Sequence, residues 1–318
     1  MHPIAAVPAE VSAPRRRFLA AATGAAVGST LSAPLMLRAA EKPLLSFGVV
    51  ADPQYADVAQ ASTRFYRASI AKLREAVAHF NTLELAFCVN LGDLIDRQWG
   101  SYEAILRPLA ECRHQVHHVL GNHDFELAEE FKPRVPERLR MPGRYFAVDH
   151  GPWRFVILDT NDLSVYAHST TSPQHVAAAA ELHRLRATGA INAQAWNGGV
   201  GDRQLAWFDA ACRGAGAAGQ RVLVFAHHPV YPPNAHNVWN AERVLDIIGR
   251  HRCVVGWLNG HNHAGAFGVH DGVPCITLRG MVETEDTNAY AVAHLHADRL
   301  ELIGHGREPS RELLFRKA

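Results

Sequence analysis

No C-x-x-C pair occurs among the five cysteines, Cys88, Cys112, Cys212, Cys253 and Cys275. A thiolate metal site and a disulfide framework are therefore not expected to organise the fold. Cys88 and Cys253 fall inside apolar runs, where a thiol serves as a small core residue. A surplus of one charge is also missing: 32 basic residues face 31 acidic ones, a net charge of +1. Neither a nucleic acid nor an anionic membrane surface is an expected partner on that balance. No apolar run has the length and composition of a good membrane span, so no stable membrane anchor is expected. Internal repeats and linkers are equally scarce. With 48% hydrophobic residues in 318, a single large α/β domain over 43–318 is the simplest organisation.

Residues 1–42 read as a leader rather than as fold. Arg15-Arg16-Arg17-Phe18-Leu19 precedes the Gly/Ala-rich stretch Ala20–Gly28, a pattern that resembles a twin-arginine export signal, with Pro14 where Ser or Thr is usual before the pair. The expectation is recognition by the twin-arginine export machinery, passage as a folded, metal-loaded protein, and a periplasmic or secreted location.

What the chain has in excess is histidine, 20 residues in all, and several of these stand at the ends of strand-like runs. Leu85, Phe87, Val89 and Leu91 alternate toward Gly92-Asp93-Leu94-Ile95-Asp96-Arg97, an apolar strand that stops at a turn carrying two carboxylates. Taken alone, Gly92-Asp93 is an ordinary turn. Repetition changes its meaning. Leu44–Ala51 ends in Asp52-Pro53-Gln54, Val116–Leu120 in Gly121-Asn122-His123-Asp124, Arg221–Ala226 in His227-His228-Pro229, and Val254–Asn259 in Gly260-His261-Asn262-His263. Ligands in open α/β sheets gather at such carboxyl ends. Between the runs, Tyr66, Ile70, Leu73, Val77 and Phe80 predict a helix over 62–81 capped by Ser62 or Thr63. Further helices are expected over 102–112, 172–185, from Gln204, and over 241–250. Arg144–Asp149 and Trp153–Asp159 predict a hairpin about Gly151-Pro152. The runs 273–278, 290–296 and 300–303 predict antiparallel strands. Segment 160–199 is the least regular and is expected to cover the site.

Asp52, Gln54, Asp93, Asn122, His227, His261 and His263 form an oxygen and nitrogen donor set without sulfur, suited to Mn, Fe or Zn. The ordered motifs D-x-Q, GD-x-x-D, GNHD, HHP and GH-x-H strongly resemble the calcineurin-like metallophosphoesterase superfamily. The resemblance implies an α/β fold, a four-layer αββα sandwich with a dinuclear metal site at the strand ends. Gln54 stands where most of the superfamily has histidine. Together with Tyr55-Ala56-Asp57, Phe65-Tyr66-Arg67 and Asn197-Gly198-Gly199, it is similar to the manganese-dependent ADP-ribose/CDP-alcohol diphosphatase subgroup.

Carried over by motif, Asp52, Gln54, Asp93 and His263 would hold a first cation and Asp93, Asn122, His227 and His261 a second, with Asp93 bridging. The cofactor expected is a pair of divalent ions, Mn foremost, which polarise a phosphoryl group and supply a bridging hydroxide. His123 would protonate the leaving group, Asp96 would orient its ring, and Arg97 would contact a phosphate oxygen. The expected partner is a small phosphorylated molecule derived from a nucleotide, cut at its phosphoanhydride. A phosphomonoesterase, a cyclic-nucleotide phosphodiesterase and a non-catalytic metal-binding protein are the alternatives. Tyr55, Phe125, Tyr166, Trp196 and Tyr231 are the aromatic candidates for base contact. His228 is a candidate for touching substrate. His117, His118, His236 and His270 are assigned to packing or surface.

Overall fold

The computed structural model describes residues 41–316; the export signal expected at 15–19 lies outside them. In chain order the elements are β1 (Leu45–Val50), α1 (Ser69–Phe80), β2 (Phe87–Asn90), α2 (Ser101–Ala110), β3 (Val116–His118), the short α3 (Val135–Arg138), and the hairpin β4 (Phe146–His150) and β5 (Trp153–Ile157). There follow α4 (Pro173–Ala187), α5 (Asp202–Ala217), β6 (Arg221–Phe225), α6 (Ala241–Arg250), β7 (Val254–Asn259), β8 (Ala266–His270), β9 (Val273–Thr277), β10 (Ala289–Leu295), β11 (Arg299–Gly306) and β12 (Arg311–Leu314). The strands form two six-stranded sheets, ordered β12-β11-β10-β1-β2-β3 and β4-β5-β6-β7-β9-β8.

Alternation decides which residues meet between the sheets. Phe47 and Phe87 stack at 5.1 Å between ring centroids on one sheet, Phe155 and Phe225 at 5.8 Å on the other, and the two pairs meet edge to face. Each such pair adds about 1 kcal/mol to the burial of its area. The opposite faces are covered by helices. Leu73, Ala76 and Phe80 of α1 and Tyr102 and Ile105 of α2 pack on Val50, Cys88 and Val292. Phe208 and Cys212 of α5 and Val244 and Ile248 of α6 pack on Val156, Val222, Val224 and Trp257. The result is the expected four-layer αββα sandwich. Among the described residues no helix is long and apolar enough to cross a membrane.

Three details depart from the sequence reading. Helix α1 begins at Ser69 rather than Ser62, because 61–65 is drawn into bridges with its neighbours: Phe65 N–H donates to Val282 O at 2.9 Å, and Arg64 pairs with Glu283. Ser62 itself has φ +53°, which excludes it from a helix start. Strand β9 runs parallel to β7 and antiparallel only to β8. Strands β8 and β12, which the sequence reading does not single out, are sheet edges on which Phe267 and Leu314 stand exposed.

Strand β3 buries two histidines that the site does not use. Burial pushes the basicity of His117 and His118 down to about 4, with a smaller push from His150 on His117 and from His117 on His118. Their ring atoms His117 Nε2 and His118 Nδ1 lack hydrogen-bond partners. Unfolded histidine titrates near 6.5, so below that pH the unfolded chain takes up protons that the folded chain refuses, and stability falls as the pH drops toward 4. We expect each ring to cost about 2 kcal/mol between pH 7 and pH 5. The check is urea denaturation at both pH values: His118→Gln should flatten the pH dependence relative to the parent, and an unchanged slope would assign it to other groups.

Candidate dinuclear metal centre

Asp52, Gln54, Asp93 and His261 all take the left-handed backbone conformation, with φ of 50°, 44°, 52° and 70°. That region costs non-glycine residues about 1 kcal/mol or more each, and it persists where surrounding bonds over-determine it. Here the bonds are visible. Gln54 N–H donates to Asp93 O at 2.8 Å, Val282 N–H to Asp52 O at 3.0 Å, and His261 N–H to the Asp52 carboxylate at 3.0 Å. Two motif glycines are explained by close approach. A Cβ on Gly121 would lie 2.1 Å from Asp93 Oδ1, and one on Gly260 would lie 2.4 Å from Asp52 Oδ2.

The turn bearing Asp93 is fixed by Asp124, the last residue of the GNHD motif. Its buried carboxylate accepts from the N–H groups of Asp93 (3.0 Å), Leu94 (3.1 Å) and Gly121 (2.9 Å) and from the Tyr102 hydroxyl (3.0 Å). Burial and the neighbouring Asp93 charge push its pKa up to about 6, against the pull of the Gly121 N–H. Sequence reasoning gave Asp124 no role; its spacing from Gly121 and Asn122 was the available signal.

The seven motif donors converge. Asp52, Asp93 and His263 bring one ligand atom each within 4.8 Å of one another, and so do Asp93, His227 and His261. Asp93 belongs to both groups. His227 Nε2 lies 3.3 Å from Asp93 Oδ2 and 3.1 Å from Asn122 Oδ1, while its Nδ1–H donates to Leu91 O at 2.9 Å. His261 Nε2 pairs with Asn197 Oδ1 at 2.9 Å, leaving Nδ1 free. His263 Nδ1–H donates to Glu283 Oε1 at 2.7 Å, and its Nε2 faces Asp52 Oδ1 at 3.6 Å. Gln54 Nε2 donates to Asp93 Oδ2 at 2.9 Å and lies 3.0 Å from His263 Nε2.

Charge balance in this cluster is met by histidine. Burial opposes ionisation of Asp93, but His227 and His123 hold its carboxyl well below the usual range. Burial likewise disfavours charge on His227, and the Asp93 carboxylate overrides it, lifting its pKa to about 9. His263 is lifted to about 9 by Asp52 and Glu283 against the same opposition. His261 goes the other way, pushed well down by burial and then by His228 and His227. Divalent cations would replace the protons on His227 and His263 as counter-charge. The buried Gln54 Oε1 has no hydrogen-bond partner, a large penalty for an amide oxygen. A cation between Asp93 and His263 would satisfy it once the amide turns end for end. The donors therefore fit a metal pair.

A cavity of about 410 Å³ opens over this cluster, lined by Gln54, Arg64, Asp93, His123, Trp196 and His236 among others. A larger one, about 610 Å³, lies between α4 and the start of α6 and contains none of the donors; the chemistry belongs to the smaller. His123 Nδ1 stands 3.3 Å from Asp96 Oδ1, and its Nε2 is 3.5 Å from Arg64 Nη1. Arg97 does not line the cavity. Its Nε donates to Asp96 Oδ2, and its guanidinium lies over the Tyr66 ring. Arg64 is the cavity's arginine, and sequence position concealed it because its approach depends on the bridge to Glu283. Of the aromatic candidates only Trp196, 39% exposed, reaches the cavity, packed on His236 and His261 at 4.9 and 5.3 Å. His228 is buried and bonded to Thr160 Oγ1 at 2.7 Å, so it does not face the cavity, whereas His236 does.

Residues 45–265 match the family model described as calcineurin-like phosphoesterase. The chain belongs to that family. Curated relatives include the manganese-dependent ADP-ribose/CDP-alcohol diphosphatases of Danio rerio, 32% identical over 84% of this chain and 97% of the relative, and of Arabidopsis thaliana, 31% identical over 86% and 97%. Among solved structures, a dimetal phosphatase from Danio rerio superposes with a TM-score of 0.79 at 29% identity, covering 86% of this chain and 100% of that one. As a calcineurin-like phosphoesterase the chain is a metal-dependent hydrolase of phosphorus bonds.

Proposed function

We propose that this protein hydrolyses the phosphoanhydride bond of a nucleoside diphosphate linked to a sugar or an alcohol, with two divalent cations, manganese foremost. The observation that carries the reading is the pair of donor groups sharing Asp93 at the floor of one cavity, in a chain about 30% identical to diphosphatases of that specificity. Asp52, Gln54, Asp93 and His263 would hold one cation and Asp93, Asn122, His227 and His261 the other. When bound, such a pair polarises the phosphoryl group and lowers the pKa of the attacking water.

The remaining work falls to the chain's own side chains. His123 Nε2 faces the cavity and would deliver the proton to the leaving oxygen, with the Asp96 backbone carbonyl, 3.3 Å from Nδ1, holding the ring. Arg64 presents a planar guanidinium suited to the phosphate that departs. The exposed indole of Trp196 offers a face for a base.

A hydrolysis panel in Mn tests the reading, with ADP-ribose, CDP-choline, a cyclic nucleotide and an aryl phosphate as substrates. Faster turnover of the two diphosphates is expected; preference for the cyclic or aryl ester would move the function to ester hydrolysis. The leader supports a second, separate proposal, export by the twin-arginine route to the periplasm or beyond. Arg15→Lys with Arg16→Lys should retain the protein in the cytoplasm, and unchanged fractionation would refute it.

A further inference from the structure

The histidines of the two donor groups are oriented by different means. His227 is fixed by a strand-end carbonyl, Leu91 O, and His261 by the buried amide of Asn197. His263 depends instead on Glu283, which sits on the loop 278–288 between β9 and β10. A carboxylate behind a ligating imidazole keeps the proton on Nδ1 and the Nε2 lone pair aimed at the metal. Whatever fixes that loop therefore fixes one donor of the first cation.

The loop is gripped from beneath by a single buried ammonium. Lys72, on the inner face of α1 and 4% exposed, donates from Nζ to Met281 O and Glu283 O, each at 3.0 Å, and to Thr284 O. Asn288 Nδ2 returns a bond to Lys72 O at 2.8 Å. The same loop also braces Asp52 and His263 through its backbone. Met281 N–H donates to Ala51 O at 2.9 Å and Val282 N–H to Asp52 O at 3.0 Å, and Gly280 N–H donates to His263 O at 3.2 Å. Lys72 thus touches no metal donor, yet the backbone it holds carries Glu283 and braces Asp52 and His263. The route from Lys72 reaches the second group only one step further on, where the Asp52 carboxylate accepts the His261 N–H at 3.0 Å.

We propose that Lys72 is a positioning residue for the first cation, acting through the 278–288 loop and Glu283, and that removing it loosens that cation while leaving the second in place. The proposal rests on the two-cation reading of the site. An ammonium bound to three carbonyls of one loop holds its path far more tightly than scattered single bonds would.

The test is Mn titration of the full chain, followed by calorimetry and by electron paramagnetic resonance, which distinguishes an exchange-coupled Mn pair from a single Mn. Glu283→Gln and Lys72→Met should each weaken one Mn by roughly 10–100-fold, replacing the coupled signal with that of isolated Mn, while the other Mn stays within about twofold of the parent. The double variant should be no weaker than Glu283→Gln alone, because both act along one route. If Lys72→Met does not fold, Lys72→Arg, which keeps a cation among the carbonyls but changes its reach, is read on the same two signals and should show the same one-sided loss. Equal weakening of both Mn ions, or none, in the folded variants overturns the inference. A parent protein that binds fewer than two Mn overturns the dinuclear reading instead.

Discussion

Asp93→Asn is expected to abolish hydrolysis and to empty both cation positions together. Asp93 Oδ1 accepts the His123 backbone N–H at 2.8 Å, and Oδ2 faces Gln54 Nε2 at 2.9 Å and His227 Nε2 at 3.3 Å. Asparagine keeps the shape but removes the charge, and it must turn an N–H toward one of these donors. Metal-derived stabilisation of a phosphoryl transfer is worth several kcal/mol, and each 1.36 kcal/mol is tenfold, so a loss of about 10³-fold or more in kcat is expected. Metal analysis of the purified variant beside its kcat decides the matter. Near-parental hydrolysis without bound metal would end the two-cation reading. Loss of one cation alone would remove Asp93 from the bridging position.

His123→Ala should divide substrates by leaving group. A diphosphate expels a phosphate that departs readily, whereas an alkyl ester expels an alkoxide that must be protonated as it leaves. The ring is placed for that proton: Nδ1 lies 3.3 Å from Asp96 Oδ1 and Nε2 opens on the cavity beside Arg64. Loss of general acid catalysis costs about 10²–10⁴-fold, so hydrolysis of alkyl esters should fall by that range and hydrolysis of diphosphates by much less. Equal losses on the two classes would assign His123 to ground-state binding. Arg97 bears on the same result indirectly, since it grips Asp96 rather than substrate.

The donor set could be read from the sequence because each motif combines a strand end, a glycine needed for close approach and a ligand, all within a few residues. Gly121-Asn122 and Gly260-His261 announce themselves in this way. Arg64, His236 and Glu283 could not be read so, and Asn197 was read only as part of the Asn197-Gly198-Gly199 resemblance, without its role behind His261. They stand on irregular segments without periodicity, and each reaches the site through a contact with a residue distant in the chain: Arg64 with Glu283, and Asn197 with His261 64 positions away. Arg97 shows the converse, an arginine adjacent in sequence to the motif whose charge is engaged by Asp96. Helices α2, α4 and α6 lie close to the ranges read from the sequence, although of the three only α4 has a side-chain cap, the Ser172 hydroxyl accepting the His175 N–H. The start of α1 was not legible, because tertiary bonds at 61–65 outweigh local helix propensity.

Strand β10 lies between β11 and β1, and the Ser46 hydroxyl pairs with His294, 248 residues away. A chain emerging from the ribosome cannot finish its first sheet until nearly all of it has been synthesised, since the strand that flanks the Asp52 turn is among the last to appear. Contacts of such long range form late and slowly. The nascent polypeptide should therefore acquire its metal-binding geometry only after translation is almost complete, and fragments ending before residue 289 should lack it.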